Sequence, residues 1–200
     1  MNVVFVVDSS DDVEFVEFQS IQQAVVRLST ILLIENNNVR IGVIVYGSRI
    51  TDVIPLTNNV TEITRSFPTM VPSTGPNKPY LGILAGRGAF SRSESSDGSN
   101  VMVFIASGLQ QFAKPTAQQS RLAKRDGIRV MTIGYGDGAV LADLEDIASR
   151  NSMAYKYETA TGLLDNADKV SSYICRGLFI YLYIVWLFLR YVSYSILKRR

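Results

Sequence analysis

The segment from residue 3 to residue 12 constrains the fold of this chain more than any other. It reads Val-Val-Phe-Val-Val-Asp-Ser-Ser-Asp-Asp, an apolar run that stops at a cluster of oxygen-bearing side chains. A short, β-branched run without polar positions predicts a strand covered on both faces, as in the middle of a parallel α/β sheet. Ligands of such sheets bind beyond the carboxyl ends of the strands. The candidate site therefore lies at residues 8–12.

Two interpretations of residues 8–12 are open. Carboxylate and hydroxyl oxygens are the ligands that a hard divalent cation such as Mg²⁺ requires. Asp and Ser are also typical of helix N-caps, and an amphipathic helix is expected directly after them. The residues of this segment do not decide between a cation site and a helix cap.

Strands and helices are expected to alternate along the rest of the chain. Strands are predicted at 39–46, 101–105, 128–133 and 153–157, and helices at 13–34, 57–67, 80–90, 116–126, 140–149 and 163–175. Residues 49–54 are expected to form an antiparallel edge strand that Pro55 closes. This alternation predicts an α/β fold: a doubly wound, mainly parallel central sheet with one antiparallel edge strand and helices on both faces.

Composition excludes several classes of function. The net charge of +2 provides no broad basic surface, so no nucleic-acid partner is expected. The chain contains no histidine, which excludes Ser-His-Asp and Cys-His catalysis and the common zinc sites. Its single cysteine, Cys175, cannot form a disulfide within the chain, so the redox compartment stays open.

Several segments, in this order, resemble a von Willebrand factor type A domain over residues 1–176. They are the opening strand with Asp-Ser-Ser, residues 39–43 with Tyr46-Gly47, 101–105, 123–130, 133–136, 144–148 and the closing Ile174-Cys175. The closing Ile174-Cys175 is similar to the end of the domain in collagen-like and matrix-protein members of the family. The resemblance implies a Rossmann-like fold and a non-enzymatic module that binds protein partners through a metal-ion-dependent adhesion site.

In the family, this site takes its ligands from Asp-x-Ser-x-Ser after the first strand, a Thr before the third helix and an Asp after the fourth strand. The resemblance implies that Asp8 and Ser10 match the first two ligands. Asp12 stands where the second Ser belongs, Asn77 falls on the Thr position, and Ser107 falls on the last Asp position. These five residues are the candidate metal ligands.

Three of the five positions depart from the family pattern, and Thr74 is a substitute for the loop ligand if that loop is shifted. One carboxylate is lost at Ser107 and one is gained at Asp12, so the negative charge is kept. Mg²⁺ is the expected cofactor, with Mn²⁺ or Ca²⁺ as substitutes. Mg²⁺ requires near-octahedral geometry, and a carboxylate is not placed like a serine hydroxyl. A degenerate site in a metal-independent matrix or scaffold domain is therefore the alternative.

Two further motifs have a possible functional meaning. The Gly-rich segment 134–138 could suggest phosphate binding and hence a nucleotide-using α/β enzyme, but it follows a late strand and lacks the spacing of a phosphate loop. It is interpreted as a structural turn. Asn59-Val60-Thr61 is a glycosylation sequon, which matters only in a secretory compartment.

The hydrophobic segment 177–200 departs from the family. Residues 178–189 carry no charge, Arg190 interrupts the run, and a basic cluster ends it at 198–200. The run reaches the ~20 residues that span a bilayer only when it is extended to Leu197, so 177–197 is predicted as a membrane anchor. A non-native tail and a long buried helix are the alternatives.

Localisation is predicted with two alternatives. The family and the sequon favour a membrane-associated protein whose domain is extracellular and binds a matrix or cell-surface protein. No secretory signal precedes the first strand, which would favour a tail-anchored domain in the cytosol.

Overall fold

One six-stranded sheet organises the chain. The computed structural model describes residues 1–35, 38–92, 99–109 and 112–175. The strands are β1 (Asn2–Asp8), β2 (Arg40–Tyr46), β3 (Ile50–Thr57), β4 (Asn100–Ala106), β5 (Ile128–Tyr135) and β6 (Ala154–Tyr157). They lie in the order β3-β2-β1-β4-β5-β6. All neighbouring pairs are parallel except β2 with β3, which is antiparallel. The predicted fold class is confirmed.

Helices cover both faces of this sheet. They are α1 (Phe15–Glu35), α2 (Val60–Ser66), α3 (Pro79–Ser91), α4 (Ala113–Arg125), α5 (Leu141–Ile147) and α6 (Ala160–Asp165), followed by α7 at 167–175. A hydrophobic core lies on each face of the sheet. Alternate residues of β1 pack into one core or the other, because successive side chains of a strand point to opposite faces. Val3 and Phe5 pack in the core that α1, α6 and α7 cover, and Val4 and Val6 pack in the core that α3, α4 and α5 cover. β1 is therefore buried on both sides, as its composition predicted.

The edge strand runs further than predicted. Pro55 was expected to close it, but β3 continues to Thr57. Proline lacks an N–H group and is tolerated in edge strands and at bulges. β3 is an edge strand, and its register with β2 shifts between the pairs Ile41–Thr57 and Val43–Ile54, which flank Pro55. The irregular pairing thus accommodates the proline without ending the strand.

The last predicted helix is two helices. The expectation of one helix over 163–175 was wrong, because Asn166 ends α6 and α7 starts after it. The Asn166 side-chain amide donates to the Gly162 carbonyl at 2.8 Å, and the Asn166 backbone N–H donates to the same carbonyl at 3.3 Å, so Asn166 closes the last turn of α6.

The predicted membrane segment, 177–197, lies outside the described ranges. Within those ranges, no helix has both the length and the apolar composition needed to cross a bilayer.

Candidate functional site

A buried carboxylate at the carboxyl end of β1 forms the centre of the site. Asp8 is 1% exposed. Its Oδ1 accepts a hydrogen bond from the Ser10 backbone N–H at 3.0 Å. Its Oδ2 accepts from Asn77 Nδ2 at 2.7 Å and from Ser107 Oγ at 2.9 Å. Three loops, after β1, before α3 and after β4, therefore converge on one side chain.

The environment of Asp8 opposes its charge. Burial raises the pKa of the Asp8 carboxyl, and hydrogen bonds from Ser10 and Ser107 lower it in part. A buried anion of this kind is stabilised by nearby positive charge, because a low dielectric strengthens electrostatic attraction.

Two oxygens beside this carboxylate are buried without a hydrogen-bond partner within the described residues. They are Ser10 Oγ and Asn77 Oδ1. The Ser10 hydroxyl is close enough to Asp8 to lower its pKa, yet the two groups are not in hydrogen-bond geometry. Buried polar atoms are normally paired, so each such oxygen needs an explanation. A carboxylate, a hydroxyl and an amide oxygen on neighbouring side chains are the kinds of ligand that a hard divalent cation takes.

Hydrogen bonding determines the orientation of the Asn77 amide. The atom that faces Asp8 Oδ2 also lies 3.2 Å from the Gly108 carbonyl oxygen. Both neighbours are acceptors, so the atom facing them must be the amide nitrogen, and Oδ1 points elsewhere.

The loop before α3 is attached to the ends of β1 and β2. Ser73 N donates to the Ser9 carbonyl at 2.8 Å, and Ser9 Oγ lies 3.0 Å from both Ser73 Oγ and the Tyr46 carbonyl oxygen, two alternative acceptors for its one proton. Lys78 N donates to the Gly47 carbonyl at 3.2 Å. These bonds hold the backbone on both sides of Asn77 in place.

The structure brings four of the five predicted ligands together: Asp8, Ser10, Asn77 and Ser107. Asp12 is exposed on the same loop, and its charge contributes to the raised pKa of Tyr46 and Tyr135, after burial and the charge of Asp8.

Two simpler interpretations do not describe this arrangement. Thr74 is exposed and contacts Ser48 Oγ through its carbonyl at 3.1 Å, so the loop is not shifted toward it. Asp8 and Ser10 do not cap α1, which begins at Phe15.

Three contributors to the site were not among the predicted residues. Ser9 and Ser73 attach the loops to each other, and the Gly108 carbonyl shares the Asn77 amide with Asp8. Ser9 lies inside the Asp-Ser-Ser motif, which gave a sequence signal for it. The other two depend on contacts between distant parts of the chain and leave no local pattern.

The structure also places the two other sequence motifs. Gly136 has φ of 73° in the turn after β5, and its N–H donates to the Tyr157 carbonyl at 3.2 Å. Asn59 is exposed and caps α2 by accepting from the Thr61 N–H at 3.0 Å. Nowhere in the described ranges do three or more acidic or cysteine side chains group so that they could hold a metal ion.

Comparison with known proteins agrees with this architecture. Residues 2–169 match the von Willebrand factor type A domain. Mouse (Mus musculus) Matrilin-4 is 30% identical over 142 residues, which are 67% of this chain and 22% of the matrilin. The chain therefore spans about a fifth of the curated relative that it matches.

Solved structures with low sequence identity share the fold. Proximal thread matrix protein 1 of the mussel byssus superposes with a TM-score of 0.74 at 18% identity, covering 87% of this chain and 46% of that protein. One structure of the mussel protein has a zinc-occupied MIDAS motif, the abbreviation for a metal-ion-dependent adhesion site. The vWF domain of the type V pili tip protein Mfa5 from Porphyromonas gingivalis gives a TM-score of 0.74 at 13% identity, covering 88% and 95% of the two chains. The extent of the family match confirms the predicted resemblance: this chain belongs to the von Willebrand factor type A domain family.

Proposed function

We propose that this domain binds a protein partner at the carboxyl edge of its sheet through a divalent cation. Asp8, Ser10 and Asn77 would hold the cation, with Ser107 and Asp12 assisting. The observation that supports this most is the pair of orphaned oxygens, Ser10 Oγ and Asn77 Oδ1, beside the buried Asp8 carboxylate. When bound, the cation would supply a positive charge that accepts a carboxylate from the partner.

Each side chain has a separate task in this proposal. Asp8 supplies the negative charge, and its burial keeps competing water away. Ser107 donates to Asp8 Oδ2 and fixes the rotation of the carboxylate. Asp12, exposed on the outer side of the same loop, adds the second negative charge that a divalent cation requires for neutrality.

The decisive experiment uses two serines with the same chemistry. Ser10 Oγ and Ser29 Oγ are both buried and both lack a partner within the described residues. Ser29 lies in the middle of α1, whereas Ser10 lies beside Asp8. Neither hydroxyl is in hydrogen-bond geometry with a described residue, so Ser10→Ala and Ser29→Ala are both expected to fold as well as the wild type.

Isothermal titration with Mg²⁺ and Mn²⁺ measures the difference between them. The wild type and Ser29→Ala are expected to bind with the same affinity, and Ser10→Ala with roughly 10–100-fold lower affinity, the range found when groups around a metal are removed. Asp8→Ala is expected not to bind. Equal affinities of Ser10→Ala and Ser29→Ala would contradict the proposal.

A metal-independent interaction domain is the second candidate. It is favoured by the hydrogen bonds from Ser10, Asn77 and Ser107, which satisfy Asp8 without a cation. Under this alternative, titration releases no heat and EDTA leaves the melting temperature of the wild type unchanged.

The type of partner and the location of the protein are further parts of the proposal. Relatives that are matrix proteins or part of a pilus tip support a matrix or cell-surface protein as partner and an extracellular domain. Residues 177–197 would attach it to the membrane, and glycosylation of the exposed Asn59 in secreting cells would report an extracellular topology. A nucleotide-using enzyme remains the third hypothesis, and a thermal shift with any nucleotide would favour it.

A further inference from the structure

An open groove runs between the helices α4 and α5. It has a volume of about 600 Å³ and shares no residue with the candidate cation site. Its α4 wall carries two bases, Lys114 and Arg121, and its α5 wall carries two acids, Asp143 and Asp146. The other residues that line the groove are uncharged. The groove therefore has one basic wall and one acidic wall.

The charges of the two walls do not pair with each other within one chain. Among the described residues, the bases that form ion pairs are Arg27 and Arg87, and neither of these pairs crosses the groove. Both bases of the groove and Asp146 are exposed, and Asp143 is half-buried. Each wall therefore presents its charge to a molecule that enters the groove.

Hydrogen bonds fix the two walls relative to each other. Lys124 Nζ and Ser120 Oγ, both on α4, donate to the carbonyl of Ile147 at the end of α5, the former at 3.0 Å. Arg121 follows Ser120 and Asp146 precedes Ile147, so these two charges lie at a similar level on opposite walls. The walls are thus in place before a partner arrives, which lowers the entropic cost of binding.

A surface with a basic wall beside an acidic wall is complementary to itself. In a two-fold symmetric pair, the same patch of both copies meets, so residue i contacts residue j and j contacts i. A two-fold axis along the groove places the α4 wall of one copy against the α5 wall of the other. Arg121 of each copy then faces Asp146 of the other, so this contact occurs twice. Lys114 and Asp143, nearer to the helix starts, add contacts of the same kind.

Exposed apolar side chains continue the surface beyond the charges. Val140 is the N-cap of α5 and is exposed, as is Leu141 next to it. Val140 lies three positions before Asp143, a spacing that places two residues on the same side of a helix. Exposed ion pairs contribute little binding energy by themselves. Burial of apolar area beside them supplies a further favourable contribution.

From this self-complementarity we propose that a second copy of this chain docks on the α4–α5 groove, with a two-fold axis along the groove. Rotation about this axis keeps the direction of α4, which follows the carboxyl end of β4. The carboxyl edges of both sheets therefore face the same side, and the pair would present two candidate binding sites together. The pairing goes beyond the proposed binding function and does not depend on it, because the groove and the cation site share no residue.

Charge reversal tests the pairing in the full chain, kept in EDTA and in a mild detergent because of the hydrophobic segment 177–200. Sedimentation velocity of the wild type should show a concentration-dependent dimer at about 0.05 M salt that weakens at about 0.5 M, because salt screens exposed charges. Arg121→Glu and Asp146→Lys each replace two attractions by two repulsions. Each should raise the dissociation constant of the dimer at least about 10-fold.

Rescue by combining the two reversals is the decisive result. In a mixture of Arg121→Glu with Asp146→Lys, the heterodimer pairs the new Glu with the new Lys at one contact and keeps the original pair at the other. Its affinity should equal that of the wild type, and the double variant should also dimerise. Arg125→Glu is the matched control, because it makes the same charge change at an exposed position of α4 outside the groove. It should leave the dimer unchanged.

The positions chosen favour folded variants, and circular dichroism melts check this. Glu is a good helix former in α4, and a Lys near the C-terminal end of α5 suits the helix dipole.

Three results would overturn the pairing. The first is a wild type that stays monomeric up to about 0.1 mM. The second is a mixture of the two reversals that dimerises no better than each variant alone. The third is an equal effect of Arg125→Glu and Arg121→Glu, which would assign the association to net charge or to another surface. Since every sample contains EDTA, a failure of the proposed cation site leaves all of these results unchanged.

Discussion

Replacing Ser107 by aspartate should make the stability of this domain depend on a cation. In the wild type, Ser107 Oγ donates to Asp8 Oδ2 at 2.9 Å. Ser107→Asp removes this donor and places a second carboxylate next to a buried one. A hydrogen bond to a charged group contributes about 1.5–3 kcal/mol to stability. Two like charges about 4 Å apart repel by about 4 kcal/mol at an effective dielectric constant of about 20.

The expected change in melting temperature follows from these energies. For a domain of this size, 1 kcal/mol corresponds to roughly 2–4 °C. Ser107→Ala, which loses only the hydrogen bond, should therefore melt about 3–12 °C below the wild type in EDTA. Ser107→Asp should melt at a still lower temperature. The two carboxyls can share a proton, which reduces their repulsion and limits this further decrease.

A cation should reverse the order of the two variants. The added carboxylate of Ser107→Asp attracts Mg²⁺, so saturating Mg²⁺ should raise its melting temperature by more than that of the wild type. Ser107→Ala should gain no more than the wild type. Circular dichroism melts in EDTA and in Mg²⁺ measure both effects. A Ser107→Asp protein that is at least as stable as Ser107→Ala in EDTA, and unresponsive to Mg²⁺, would refute the reasoning.

Three further predictions concern α3 and the buried Tyr46. In α3, Gly82→Ala should destabilise the domain by about 1–3 kcal/mol in urea unfolding, because its Cβ would lie 2.6 Å from a ring carbon of Tyr46 and 2.7 Å from Val6 Cγ1. In Gly88→Ala, in the same helix, the added Cβ meets nothing within 4 Å, so this variant should stabilise the domain by about 1 kcal/mol. Equal changes in the free energy of unfolding for Gly82→Ala and Gly88→Ala would contradict this reasoning. The buried Tyr46 hydroxyl has no partner in the described ranges, so Tyr46→Phe should cost no stability at pH 7, and a loss above about 1 kcal/mol would contradict this. Burial raises the pKa of Tyr46 well above its usual range. The stability that the protonated phenol contributes is therefore present below about pH 10 and is lost as the pH rises further. Tyr46→Phe should reduce this fall in melting temperature at alkaline pH.

Local patterns in the sequence were sufficient for most of the fold. The apolar run of β1 and the alternation of strands with helices predicted a mainly parallel sheet, because periodicity is a property of neighbouring residues. The end of β3 was not predictable in this way. Whether a strand continues past Pro55 depends on the position of β3 at the edge and on its irregular pairing with β2. The break at Asn166 likewise coincides with a side-chain hydrogen bond to the Gly162 carbonyl, which also accepts from the Asn166 backbone N–H.

The topology of the sheet explains why some of the candidate ligands lie close together. Asp8 ends β1 and Ser107 follows the neighbouring parallel strand β4, so the sheet explains their proximity, although the resemblance made Ser107 a candidate ligand. Asn77 came from the resemblance, since nothing in its own loop indicates a ligand. The sharing of its amide between Asp8 and Gly108 joins residues 69 and 31 positions apart and could be seen only in three dimensions.

The two edges of the sheet bear on how this domain behaves when many copies are crowded together. An exposed edge strand offers unpaired backbone groups to neighbouring chains and can seed aggregation. Here one edge, β3, is interrupted by register shifts and carries Pro55, while the other, β6, is only 4 residues long. Neither edge is a regular template for a further strand. Copies of the domain at high concentration can therefore contact one another through side chains and loops without adding strands to either sheet.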